Sequence, residues 1–297
     1  LIDATLPLFS LFSSLTMPTP ESLTVQVRGM DLKIHVWKSE KPKAIAVIYH
    51  GFLAHGRYPT VKYAAELLHS QNYHVIAPDM PGHGESPGMR GYLPSADTLI
   101  SDALKIADFA QKQFPDEKLF LLGSSMGGTI ALRVAMEMPE VAGVILLAPM
   151  LSLKVGDAQK FLLKGLAFVL PTIQAIPSSA TSPEQQFRDE AKRKECVEDP
   201  LTVSGKTLRI GSANTCVVLA SEIQDHFGEI KVPFLCLVAD QDTVVDSSGA
   251  VRMYEQAQSE DKTLKRYEAL HGLLCEPKPL IDEIEKDLVD WIEARSK

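Results

Sequence analysis

Residues 119–128 of this 297-residue chain read Leu-Phe-Leu-Leu-Gly-Ser-Ser-Met-Gly-Gly. A short apolar run, long enough for one buried strand, meets Gly-x-Ser-x-Gly at Gly123, Ser125 and Gly127. Ile130, Ala131, Val134, Ala135 and Met138 then recur at helical spacing. Strand, sharp turn and helix together predict an elbow that lifts the Ser125 hydroxyl above a sheet edge. The two glycines are expected where the strand and helix backbones approach closely. The plainer alternative is a glycine-rich turn whose serine merely caps the helix.

Around this stretch the sequence alternates strand and helix signals. Residues 23–28 and 32–37 alternate about Gly29-Met30, as in an antiparallel hairpin. Residues 44–49 and 74–78 are continuous apolar runs, as is 141–148, the pattern of parallel strands covered on both faces. Amphipathic helices are expected through Val61 to Leu68 and over 95–114. The alternation stops near Pro149 and resumes with strands at 233–239 and 263–269 and a closing helix over 280–294. A mostly parallel α/β sheet flanked by helices, interrupted by an insert, is the fold predicted.

The insert, 151–230, shows no clear buried strand and reads as a helical cap between core segments 17–150 and 231–297. It holds an apolar stretch at 161–170, a Pro/Ser-rich link at 176–183, a charged run at 184–194 and a helix near 215–227. The 161–170 stretch is apolar nearly all round. It is either a helix buried between cap and core or the lip of a lid that lines a greasy tunnel or touches a lipid surface. Residues 1–16 are apolar, but carry Asp3 and Pro7 and are too short to span a bilayer, so an expression-derived or disordered tail is expected.

A net charge of −8 argues against a nucleic-acid partner. Four cysteines without C-x-x-C spacing argue against zinc, and reduced thiols with no Asn-x-Ser/Thr sequon suggest a cytoplasmic protein. Neither a metal nor a cofactor is expected.

A serine hydroxyl needs a base, and the base needs an orienting carboxylate. Both should follow later strands in the order Ser, Asp, His. The strand ending at Ala239 leads into Asp240, Asp242 and Asp246, and the next leads into His271. Asp240 falls at the strand tip and Asp246 is placed to cap a helix near Ser247, so Asp242 is the best placed of three competing acids. Two backbone N–H groups should hold the oxyanion, one from Met126 at the start of its helix and one from Phe52 in the His50-Gly51-Phe52 loop. His74-x-x-x-x-Asp79 has the spacing of an acyltransferase motif, but its two residues flank a buried strand.

With these residues in place the chain resembles the monoacylglycerol lipase group of the α/β-hydrolase fold, which includes lysophospholipases and caffeoyl shikimate esterases. The resemblance covers about residues 24–292. It rests on His50-Gly51-Phe52 with Arg57-Tyr58, on Asp79 with Gly82-His83-Gly84-Glu85-Ser86, on the Ser125 elbow, and on Asp242, Tyr267-Glu268 and His271. It implies a Ser125/Asp242/His271 triad, substrate contacts from His50, Gly51 and Arg57, and a cap whose Phe161 and Leu166 line a tunnel. A single-chain lipid ester is the substrate implied, with transient contact of the cap with membrane or micelle. The oligomeric state is open.

Two departures bear on the head group. The family's glutamate in the loop after His-Gly is absent, with Ala54-His55 in its place, and Leu274 stands where a second histidine usually follows the first. Strict glycerol recognition is therefore in question. A general carboxylesterase, thioesterase or aryl-ester esterase is the near alternative. A receptor that keeps the fold without turnover is the distant one, opposed by the intact triad residues.

Overall fold

The computed structural model describes residues 19–178 and 182–297. The expectation for residues 1–16 lies outside them.

The chain opens with β1 (Glu21–Val27) and β2 (Met30–Trp37), a hairpin turned at Arg28-Gly29, one residue earlier than the pattern suggested. Both turn residues have positive φ (50° and 74°), the geometry that matches strand twist in a tight hairpin. Then come β3 (Ile45–Tyr49), α1 (Pro59–Ser70), β4 (His74–Pro78), α2 (Ala96–Gln113), β5 (Leu119–Ser124), α3 (Met126–Glu137) and β6 (Gly143–Leu147). The chain leaves the sheet for α4 (Asp157–Val169), β7 (Gln174–Pro177), α5 (Pro183–Gln186), α6 (Glu190–Glu198), β8 (Thr207–Arg209) and α7 (Ile210–Asp225). It returns with β9 (Phe234–Ala239), α8 (Ser248–Gln256), β10 (Lys262–Tyr267) and α9 (Leu280–Arg295).

Eight strands, among the described residues, form one sheet in the order β1-β2-β4-β3-β5-β6-β9-β10. Only β2 runs against the rest. Chain reversal of strand order on either side of β3 is what an α/β sheet with helices on both faces produces, and ligands sit beyond its carboxyl edge.

The central strands feed two cores at once. Val47, Leu121, Val144 and Val238 face one cluster with α2, α3, α7 and α8, while Ile48, Phe120, Ile145 and Leu237 face another with α1 and α9. This is why β3, β5, β6 and β9 read as unbroken apolar runs. Each fully buried side chain of this size stabilises the fold by roughly 1.5–3 kcal/mol.

The insert departs from a purely helical reading. β7 and β8 pair antiparallel as a small second sheet, with Pro177 at the end of β7. α7 begins at Ile210, five residues before the expected start, and packs Leu219, Ala220 and Ile223 into the main core. α4 has no fully buried residue. Phe161 is 84% and Phe168 91% exposed, so the buried-helix reading of 161–170 fails. All four cysteines are free and buried.

Candidate active site

β5 delivers the chain to Ser125, whose φ of 56° and ψ of −122° place it in a region that a non-glycine residue adopts at a cost of about 1–3 kcal/mol. The surroundings hold it there. Its N–H donates to the Leu147 carbonyl at 3.0 Å, and its carbonyl accepts from Gly128 (3.0 Å) and Met150 (2.9 Å). The glycines allow the approach: a Cβ on Gly123 would lie 2.0 Å from the Gly127 carbonyl oxygen, and one on Gly127 would lie 2.0 Å from that of Tyr49. The Ser125 side chain makes no capping bond, so the plain N-cap alternative fails.

Beyond the carboxyl ends of β9 and β10, His271 Nδ1 lies 2.6 Å from Asp242 Oδ2, with both side chains buried. A carboxylate only accepts, so the proton sits on Nδ1 and Nε2 keeps its lone pair. The other oxygen of Asp242 accepts the amides of Val244 (2.7 Å) and Val245 (3.0 Å). The rival acids are engaged elsewhere. Asp240 pairs with Arg266 at 2.7 Å, while Asp246 accepts from the Ser248 amide at the start of α8 and from Ser152.

Ser125 and His271 open on one cavity of about 610 Å³ at the carboxyl edge, a volume within the range that takes a drug-sized ligand. Gly51, Phe52 and Leu166 share its wall, with Leu153, Leu163 and Val217. Gly51 lies beside the elbow, where a Cβ would sit in ordinary contact, 3.4 Å from the Ser125 Cβ. Met126 leads α3, where first-turn N–H groups have no intrahelical acceptor. Among the described residues the Phe52 amide has no backbone acceptor either.

Three residues expected at the substrate stand outside the cavity wall. His50 is buried, donating from Nδ1 to the Gly51 carbonyl (2.7 Å) and accepting the Met80 amide at Nε2 (3.0 Å). Burial, with His83 nearby, holds its pKa down to about 3, so it is a neutral brace for the loop. Arg57 turns to Glu85 at 3.3 Å. Phe161 points to the exterior, whereas Leu162, Leu163 and Leu166 of the same helix line the cavity. Tyr58, Gln186 and Thr202 also line it, and two of these lie in the insert, where no motif marks them.

His74 and Asp79 do not form an acyltransferase pair. His74 opens the five-residue β4 and Asp79 follows its last residue, roughly 16 Å away along extended chain. His74 accepts the Ser39 amide and stacks on Phe114. Asp79 accepts the Gly56 and Glu85 amides at 2.6 and 2.8 Å. Burial raises its pKa, but His35 and these amides outweigh that and leave it at about 2. His35, Asp79 and Glu85 are close enough to consider for a metal ion, but the N–H donors already directed at Asp79 oppose a cation.

The fold and the Ser125 elbow define an α/β-hydrolase of the serine-hydrolase class. The family model described as serine aminopeptidase, S33, matches residues 40–278. Mouse monoglyceride lipase is 32% identical over 91% of this chain and 89% of its own length. Phospholipase YtpA of Bacillus subtilis is 31% identical over 82% of this chain and 93% of its own. Among solved structures, the monoacylglycerol lipase of Paleococcus ferrophilus superposes with a TM-score of 0.77 at 28% identity, covering 90% of this chain and all of that one. The chain belongs to the S33 family, among relatives named monoglyceride lipase.

Proposed function

We propose that this protein hydrolyses esters of single-chain lipids, monoacylglycerols first among them, through an acyl-enzyme on Ser125. The observation that carries this reading is the cavity: apolar along most of its wall, with Ser125 and His271 opening on it. The similarity to proteins named monoglyceride lipase and phospholipase supports it.

In this reading Ser125 Oγ attacks the ester carbonyl while His271 Nε2 takes its proton. The Phe52 and Met126 amides hold the oxyanion, each donor contributing on the order of 10²–10³ in rate. Collapse of the tetrahedral intermediate breaks the C–O bond, and His271 hands the proton to the departing alcohol. Water, activated by the same imidazole, then releases the fatty acid. Asp242 keeps His271 in the working tautomer and stabilises its cation.

The description of the family model, serine aminopeptidase, raises a peptide substrate as the other reading. A free amino terminus needs a carboxylate partner, and the described residues of the cavity wall include no Asp or Glu. That favours a neutral ester. With Arg57 paired to Glu85 and Leu274 buried, the alcohol portion is left to the other polar side chains of the wall, among them Tyr58, Gln186, Thr202, Gln159 and Lys154.

Residues 151–230 serve as the cap in this account. α4 shows Phe161, Phe168 and Val169 (71% exposed) to the outside while its other face lines the cavity. A helix so arranged rests on a lipid surface and passes a chain inward. No helix among the described residues is long and apolar enough to cross a membrane.

The test is a panel of monoacylglycerol, lysophosphatidylcholine, p-nitrophenyl acetate and an aminoacyl anilide. Fastest turnover of the long-chain monoacylglycerol is expected, with the anilide untouched. Turnover of the anilide above the esters would overturn the reading in favour of a peptidase.

A further inference from the structure

The loop that carries Phe52 is pinned to the core at two points. The Gly51 carbonyl accepts from His50, and the Gly56 amide donates to Asp79 at 2.6 Å. Gly56 is wedged as well, since a Cβ there would lie 2.6 Å from the Ala77 carbonyl oxygen. Between these anchors the Ala54 amide closes a turn on the Gly51 carbonyl at 3.2 Å and the Phe52 ring lies near His83, and the span from Phe52 to His55 takes its other long-range hydrogen bonds from the insert. The Val203 amide donates to the Leu53 carbonyl at 3.0 Å, and His55 Nε2 lies 2.5 Å from Asp199 Oδ2. Leu53 has a positive φ of 64°, a conformation that persists only where neighbours enforce it.

The His55–Asp199 bond is directional. The Arg57 N–H donates to His55 Nδ1 at 3.2 Å, so Nδ1 is the acceptor and Nε2 carries the proton toward Asp199. Asp199 is fixed in turn by the Leu201 amide (2.8 Å) and the Thr202 hydroxyl (3.2 Å). His55 is 2% exposed, so water does not replace this partner.

We infer that the insert completes the oxyanion site, with His55 and Asp199 as positioning residues that hold the Phe52 amide in place. This rests on the reading of Phe52 as an oxyanion donor. The insert is then more than a wall for the acyl chain: displacing residues 199–203 from the loop also weakens the chemistry.

The experiment compares wild type with Asp199→Asn, Asp199→Ala, His55→Ala and His55→Gln in two readouts. One is hydrogen exchange, in the resting proteins, of the Ala54 amide, which donates to the Gly51 carbonyl across the Phe52-Leu53 turn, and of the Val203 amide, which donates to the Leu53 carbonyl. The other is kcat and KM on soluble p-nitrophenyl butyrate. Asp199→Asn keeps the volume, but its single oxygen cannot serve both sides: held by the Leu201 amide it sets an NH₂ against the ring N–H, and turned to His55 it sets the NH₂ against the Leu201 amide. We expect Asp199→Asn, Asp199→Ala and His55→Ala to speed exchange about tenfold or more. Their kcat should fall about 10- to 100-fold, with KM within about threefold. His55→Gln can still donate to Asp199 and should recover most of both. Unchanged exchange with unchanged kcat, or a change in KM alone, would overturn the inference. If wild type showed no Ser125-dependent turnover, the hydrolase reading would fall. Exchange would then decide the clamp by itself, faster for it and unchanged against it.

Discussion

Asp242 grips His271 from below with one carboxylate oxygen, at 2.6 Å, while its other oxygen is committed to the amides of Val244 and Val245. Neither oxygen is free to change role. In Asp242→Asn the remaining oxygen is held by the two amides, so the new NH₂ faces His271 Nδ1. The imidazole must then carry its proton on Nε2, where it cannot act as base toward Ser125. A loss of about 10⁴ in kcat is expected with the fold intact, measured as turnover of a soluble ester beside a thermal melt. A loss smaller than about tenfold would contradict the assigned geometry.

The elbow and the cap helix offer opposite outcomes for the same substitution. Gly127→Ala sets a methyl against the Tyr49 carbonyl, 2.0 Å away, with backbone on both sides, so strand and helix must separate. A destabilisation above about 3 kcal/mol is expected, at the severe end for one residue. Gly165→Ala in α4 meets nothing within 4 Å and should stabilise by about 0.5–1 kcal/mol. Urea unfolding of both proteins checks the pair.

Two buried histidines set an acid limit. Burial, before all other causes, lowers the pKa of His83 to about 4 and of His50 to about 3, against about 6.5 in an unfolded chain. The unfolded state therefore binds more protons below about pH 6.5. Their contribution to stability is complete above that pH and is lost as pH falls through the folded values. Each should steepen the decline between pH 6 and about 4 by nearly 1.4 kcal/mol per pH unit. His83→Asn should flatten the unfolding midpoint over that window relative to wild type, and an unaltered slope would remove His83 from the account.

Much of this was legible in the sequence, for physical reasons. Strands buried on both faces leave unbroken apolar runs, so β3, β5, β6 and β9 were visible, and the elbow betrayed itself through Gly123 and Gly127. Other features depend on contacts distant in the chain. Three acids share the loop after β9, and only the approach of Arg266 to Asp240 and of Ser152 to Asp246 separates them from Asp242. The resemblance implied substrate contacts from His50 and Arg57, and no sequence pattern could show that their side chains turn to Gly51 and Met80 and to Glu85. The start of α7 was obscured because Gly211 and Ser212 read as breakers. There Gly211 admits the Pro171 carbonyl, and the Ser212 hydroxyl bonds the Gly91 carbonyl. β7 and β8 are four and three residues long and largely unburied, too short for an alternating pattern.

The exposed face of α4 should matter only at a lipid surface. Phe161→Ser with Phe168→Ser removes two large apolar side chains that do not line the cavity. Cosedimentation with neutral phosphatidylcholine vesicles should fall about tenfold or more, since each loss removes roughly 1.5–3 kcal/mol of burial on insertion. Turnover of a soluble short ester should stay within about twofold of wild type. An equal loss in both assays would assign α4 to the cavity alone.

The most direct measurement is rapid acid quench of the protein with a long-chain monoacylglycerol, followed by peptide mass analysis. The account predicts one acyl group on the peptide that carries Ser125, at a level that rises and then falls as substrate is consumed. Asp242→Asn should show it forming far more slowly, and Ser125→Ala should show none. Fatty-acid release that continues in Ser125→Ala, or an acyl group found on another residue, would contradict the central claim.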